Sequence, residues 1–191
     1  DESVDERVRY YNFLEQLAAR DRENLLANGI IKKDREIEDA FEQATRYLVG
    51  EKLRMELLAM EGSDHADGGF AHPTADTVFL WDNKSKEQAY DFPETEFRQF
   101  KRYIRDSQVR VTAFVVVVPD NTEDAAAKAP RLKSESGTDT DVCLIRAEDL
   151  KWLAEHWPDY GKGETFNPEV LNMTGGMDRQ ELQRRLETFS S

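Results

Sequence analysis

The run Val78-Phe-Leu-Trp-Asp82-Asn-Lys84 passes from four apolar residues directly into a carboxylate, an amide and an ammonium. Apolar residues on both faces of such a run mark a central, covered strand. Residues two apart on a strand share a face, so Asp82 and Lys84 stand on the side of Leu80. A charged pair at the end of a covered strand is costly if it is buried without purpose. The triplet acid, any residue, lysine is weak evidence alone. A chain with ten lysines and 39 acids in 191 residues holds about two by chance, and this one holds two, Asp82 to Lys84 and Asp149 to Lys151. The second falls in a run that reads as helix, where neighbours two apart do not face each other. Replacing Asp149 is therefore expected to leave any chemistry untouched.

A second carboxylate lies within reach. The Gly-rich stretch from Gly62 to Phe70 contains Asp67, and strand signals stop at His72-Pro-Thr-Ala75. If residues 67–82 form a hairpin, its centre falls between Thr74 and Ala75, inside that turn. Asp67 and Asp82 then become cross-strand neighbours, with Cβ atoms about 4.5–5.5 Å apart. Carboxylates that close repel unless a positive charge sits between them. Oxygen ligands of this kind suit Mg²⁺, with Mn²⁺ as a substitute, because Mg²⁺ accepts one or two carboxylates and keeps several waters. Singly, each acid of so acidic a chain reads as a solvated turn residue. Asp67, Asp82 and Lys84 together on one hairpin read as a site.

The elements that must carry this hairpin alternate. Apolar residues recur at helical steps in Val8–Leu14 and again from Phe41 to Met60, with a slip near Gly50. The hairpin follows. Glu94–Arg105 then reads as an amphipathic helix with Phe97, Phe100, Tyr103 and Ile104 inward. Val111–Val118 is the strongest strand, and residues 121–124 can start a short helix over Ala125–Lys128. Val142–Ile145 reads as a buried strand, Ala147–His156 as a helix, and residues from about Met177 to Thr188 as a last helix with Asp178 near its start. Strands alternating with helices after an opening hairpin predict an α/β fold, a central mixed β-sheet flanked by helices on both faces.

Composition bounds the rest. The formal net charge is −13, 39% of residues are hydrophobic and 34% charged. The longest apolar runs fall far short of the roughly 18 residues that cross a bilayer, and the N-terminus has no signal-peptide pattern, so membrane spanning and ordinary secretion are not expected. The lone Cys143 suits a reducing, cytoplasmic compartment. Three histidines, His65, His72 and His156, with one cysteine do not make a structural zinc site. The acids are spread along the whole chain, which favours adaptation to high salt over a surface for a basic partner. No zinc-finger spacing, basic helix or aromatic-basic interleaving offers base recognition.

Glu42 on its helix, then His65-Ala-Asp67-Gly-Gly-Phe70, then Phe79-Leu-Trp-Asp82-Asn-Lys84, resembles the PD-(D/E)xK nucleases, and among them the cleavage domain of FokI-type type IIS restriction enzymes. Tyr90-Asp-Phe-Pro93, the helix from Phe97 to Ile104, the strand at 111–118 and the closing helix fall in the same order. Ala66 stands where the motif has proline, which loosens the turn and leaves the ligand. The resemblance covers roughly residues 36–190, so that 1–35 stand apart as an N-terminal helical segment and 36–191 as the nuclease-like domain. It implies a restriction-endonuclease-like fold and Mg²⁺-dependent hydrolysis of DNA in a prokaryotic cell. Asp67, Asp82 and the carbonyl of Asn83 would hold metal, Lys84 would orient the attacking water, and Glu42 would bind a second metal or steady that water. A non-catalytic nuclease-fold module that binds a basic partner is the other reading; the intact Asp67, Asp82 and Lys84 set argues against it.

The resemblance also implies a separate recognition domain in a longer chain, in keeping with a sequence that starts at Asp1. Such domains pair through the helix after the lysine, where the familiar pattern sets an acid one turn before an arginine. Here that position is Arg98, on a face with Arg102 and Arg105, and Glu94 precedes it by four residues. A monomer or weak dimer alone, pairing on DNA, is expected.

Overall fold

The computed structural model describes residues 5–62, 64–161 and 165–190. Its centre is a six-stranded mixed sheet in sequential order: β1 (Glu56–Leu57), β2 (Gly68–Ala71), β3 (Val78–Asn83), β4 (Val111–Val118), β5 (Asp141–Arg146) and β6 (Gly175–Met177). The first three strands pair antiparallel, and β3 through β6 run parallel. Parallel neighbours need crossovers, and here these are helical. Helix α5 (Glu94–Asp106) links β3 to β4, α6 (Glu123–Ser136) links β4 to β5, and α7 (Ala147–Tyr160) follows β5.

The alternation along β4 divides the core. Ala113, Val115 and Val117 pack on the side of α4 (Ile37–Tyr47), α7 and α8 (Arg179–Phe189). Phe114, Val116 and Val118 pack against Phe97 and Phe100 of α5 and Ala129 and Leu132 of α6. Both faces of β3 and β4 are covered, which is why their sequences read as continuous apolar runs. The expected sheet with helices on both faces is the observed architecture.

The first helices, α1 (Glu6–Asn12), α2 (Leu14–Ala18) and α3 (Arg22–Ala27), share that core. Tyr11, Leu14, Leu17 and Leu25 are buried in the same cluster as Phe41 and Ala44 of α4. The chain just past Lys84 is sewn to them: the Ser85 hydroxyl donates to the Leu17 carbonyl at 2.6 Å and the Lys86 N–H to that of Ala18 at 2.9 Å. Residues 1–4 of the expected helical segment lie outside the described residues.

Three local expectations are corrected. The helix expected from Phe41 to Met60 ends at Tyr47; Leu48–Lys52 forms a π-helical turn, Arg54 takes φ +59, and Leu57 lies in the edge strand β1. Gly50 permits this return, since a Cβ there would stand 3.0 Å from Leu57 Cδ1. Helix α6 has 14 residues rather than one turn: Thr122 caps it by accepting from the Ala125 N–H, and it runs through Pro130 to the left-handed Gly137. Met177 is in β6, and α8 begins after Asp178, whose side chain accepts from the Glu181 N–H as its N-cap.

Candidate active site

The β2–β3 register sets Gly68 opposite Trp81, so one step outward Asp67 faces Asp82. The Asp67 N–H donates to Asp82 Oδ1 at 3.3 Å, and the Asn83 N–H donates to Asp67 Oδ2 at 2.7 Å. The hairpin closes where the strand signals stop, with the His72 N–H bonded to the Thr77 carbonyl at 2.9 Å. Gly68 is required beside Asp67, because a Cβ there would lie 2.1 Å from the Trp81 indole. Ala66, at the proline position, is buried against the α5 side of the sheet.

Lys84 continues the strand, its N–H bonded to the Val117 carbonyl of β4 at 2.9 Å. Its Nζ lies 3.0 Å from Asp82 Oδ2, 3.3 Å from Glu96 Oε1 and 5.5 Å from the centre of the Phe100 ring. Asp82 and Lys84 do share a face. Glu96 was not singled out from the sequence. Its signal is that it stands one helical turn before Phe100, an acid on the inward face of α5.

Glu42 reaches the cleft from α4, and an open space of about 340 Å³ brings it together with Asp67, Lys84 and Glu96. Asn83 points to the other face of β3: its Nδ2 donates to Thr45 Oγ1 at 2.7 Å, and Thr45 donates to the Phe41 carbonyl at 3.0 Å. That chain ties the end of β3 to α4 one turn from Glu42. Asp82 is 4% exposed, and burial first, then the nearby Asp67, pushes its carboxyl up to about 7 against the pull of Lys84. Burial and the same Asp67, with Asp39 and Asp82 beyond, push Glu42 up to about 8. For Lys84, burial works to lower the pKa, but Asp82 and then Glu96 outweigh it and raise the ammonium above its ordinary value.

Four carboxylates, Glu42, Asp67, Asp82 and Glu96, around one ammonium leave the cleft short of positive charge. Among the described residues no three or more His, Cys, Asp or Glu side chains converge as a closed metal cage. Asp67 and Asp82 instead spend oxygens on backbone N–H groups, and the strand carbonyl of Asn83 stands between Asp82 and Lys84 in sequence. A hard cation that takes one or two carboxylates and keeps several waters fits so sparse an oxygen set. Asp149 of the other triplet is elsewhere. It is fully buried in α7, bonded to Arg146 Nε at 3.0 Å and Arg179 Nε at 2.8 Å.

The sequence matches the family described as FokI, cleavage domain, over residues 5–164. The chain belongs to that family. The match takes in α1–α3, which the resemblance by motif had left without a counterpart. Two solved structures titled as the restriction endonuclease FokI share the fold of this FokI-type domain. One superposes with a TM-score of 0.60 at 16% identity, covering 74% of this chain and 29% of the other. The second, FokI bound to DNA, gives a TM-score of 0.65 at 14% identity, covering 87% and 30%. The chain thus spans under a third of the length of those two proteins. No curated protein matches the sequence.

Proposed function

We propose that this FokI-type domain is a Mg²⁺-dependent endonuclease that hydrolyses DNA phosphodiester bonds as the cleavage part of a restriction enzyme. One observation carries the reading: Asp67, Asp82 and Lys84 meet at the ends of the central hairpin in a chain of this family. The metal, when bound, supplies Lewis-acid polarisation of the scissile phosphate and activation of water. Asp67, Asp82 and the Asn83 carbonyl hold it. Lys84 orients the attacking water and counters charge that grows on the phosphate as the bond breaks. Glu42 binds a second cation or steadies the water. With 29% and 30% of the FokI chains covered, sequence recognition is assigned to another part of the parent polypeptide.

Nicking of supercoiled plasmid tests this. Cleavage is expected with Mg²⁺ or Mn²⁺, lost in EDTA and in the Asp82→Ala variant. A chain that binds metal and DNA yet never nicks is a binding module instead.

A further inference from the structure

We propose that Glu96, oriented by the buried Tyr90 hydroxyl, is the positioning residue for Lys84. This rests on the reading of Lys84 as the cation that works in the cleft. A lysine ammonium sits on a flexible four-carbon stem with three rotatable donors, so it needs more than one acceptor to be fixed. Asp82 supplies one, at 3.0 Å, and the same Asp82 is assigned to the metal. The tether that leaves Asp82 free for that task comes from α5.

The geometry of the second tether is specific. A single oxygen, Glu96 Oε1, accepts from Tyr90 Oη at 3.3 Å and lies 3.3 Å from Lys84 Nζ. Tyr90 is fully buried, and among the described residues Glu96 is the only partner of its hydroxyl. Tyr90 itself is fixed at both backbone ends by the turn after β4: its N–H donates to the Asp120 carbonyl at 2.7 Å and its carbonyl accepts from the Thr122 N–H at 3.0 Å. Phe100, one turn along α5, places its ring beside the ammonium. Helix α5 therefore carries two groups that border Lys84 from outside the hairpin, Glu96 and Phe100, and Tyr90 locks the acid of the two. The competing account is that Glu96 merely anchors α5 to β3.

The 191-residue chain carrying Glu96→Ala, Glu96→Gln or Tyr90→Phe separates the two. Two readouts apply: kcat and KM for plasmid nicking in Mg²⁺, and acetylation of Lys84 in EDTA, measured by peptide mass spectrometry against the exposed Lys33. Glu96→Ala is expected to lower kcat about 10–100-fold, the usual cost of losing an orienting partner. It leaves KM for DNA unraised, and Lys84 acetylation rises several-fold. Glu96→Gln keeps the shared oxygen and recovers most of the lost turnover, with acetylation in between; Tyr90→Phe is intermediate in both. Wild-type turnover and acetylation in Glu96→Ala overturn the proposal. Equal losses in Glu96→Ala and Glu96→Gln, with equally lowered melting temperatures, leave only the anchor. If Lys84→Ala nicks like the wild type, it is the underlying reading of Lys84 that fails, and the acetylation result still reports the tether.

Discussion

The Asn83 N–H bonds Asp67 Oδ2 at 2.7 Å, while the Asp67 N–H bonds Asp82 Oδ1 at 3.3 Å. The loop aspartate and the strand that bears the other aspartate thus hold each other, and neither carboxylate swings freely. Preorganisation of this kind spares the protein the cost of arranging charge when substrate arrives.

That pairing has a pH signature. Asp82 is pushed up to about 7 and Glu42 to about 8, chiefly by burial. Between about pH 4, where free carboxyls ionise, and pH 8 the folded, metal-free protein holds protons that the unfolded chain has lost. Stability from these two groups is present at low pH and falls as pH rises through that range. In EDTA the melting temperature is expected to drop from pH 5 to pH 8 more steeply in the wild type than in Asp82→Asn. Mg²⁺ should restore it at pH 8. Parallel curves for the two proteins would contradict the raised pKa assigned to the buried Asp82 carboxyl.

Lys84→Ala should lose about 100–1000-fold in turnover, the range for removing one donor aimed at developing charge. An ammonium cannot ligate a cation, so calorimetric Mg²⁺ affinity should hold or improve. A large loss of affinity would place Lys84 in a structural role.

Asp149→Ala is still expected to leave the chemistry untouched, but the structure adds a cost in stability. The side chain is 0% exposed and bonded to both Arg146 and Arg179, joining the end of β5 and the start of α7 to the start of α8. The arginines are partly exposed and can rehydrate, so the expected cost is about 1.5–3 kcal/mol, the range for hydrogen bonds to charged groups. Nicking at low temperature should persist. A melting temperature equal to the wild type's would show that the pair carries no net stability.

Spacing rules reached what depends on local order and missed what depends on packing. The Asp67–Asp82 pairing was legible because strand periodicity and a turn with strong signals fix the register. Glu42 was visible only through family resemblance, since one acid on an acidic helix has no distinguishing pattern. Glu96 was hidden because its partners, Tyr90 and Lys84, meet it only once α5 lies on the sheet. Leu57 fits a helical stripe and a two-residue edge strand equally well. In β6, Gly175 and Gly176 carry no side chains to reveal a strand.

The charge of −13 predicts a response to salt. Of the charged groups around the cleft, Glu38, Glu42, Asp67 and Glu96 outnumber Lys84 and Lys86. Screening of this repulsion should raise the melting temperature between low and molar KCl. A flat or falling curve would favour a basic partner as the reason for the acidity.

Any pairing through α5 depends on the partners of its acids and arginines. The sequence offered Glu94 as a partner for Arg98, but Glu94 is engaged by α6, 2.8 Å from Arg131 and 3.8 Å from Lys128. Arg102 pairs with Asp64 at 2.6 Å, and Arg105 donates to the Glu135 and Ser136 carbonyls at the end of α6. Among the described residues Arg98 alone of the three arginines has no hydrogen bond or ion pair. If two copies met across a two-fold axis on this face, each Arg98 would approach its own image without an acid to receive it. The isolated domain is therefore expected to sediment as a monomer or weak dimer at micromolar concentration, and to pair only where DNA and the rest of its polypeptide bring two copies together. Arg98→Glu sets an acid one turn before Arg102 and should strengthen pairing. A stable dimer of the wild type, unchanged by that reversal, would place the contact on another face.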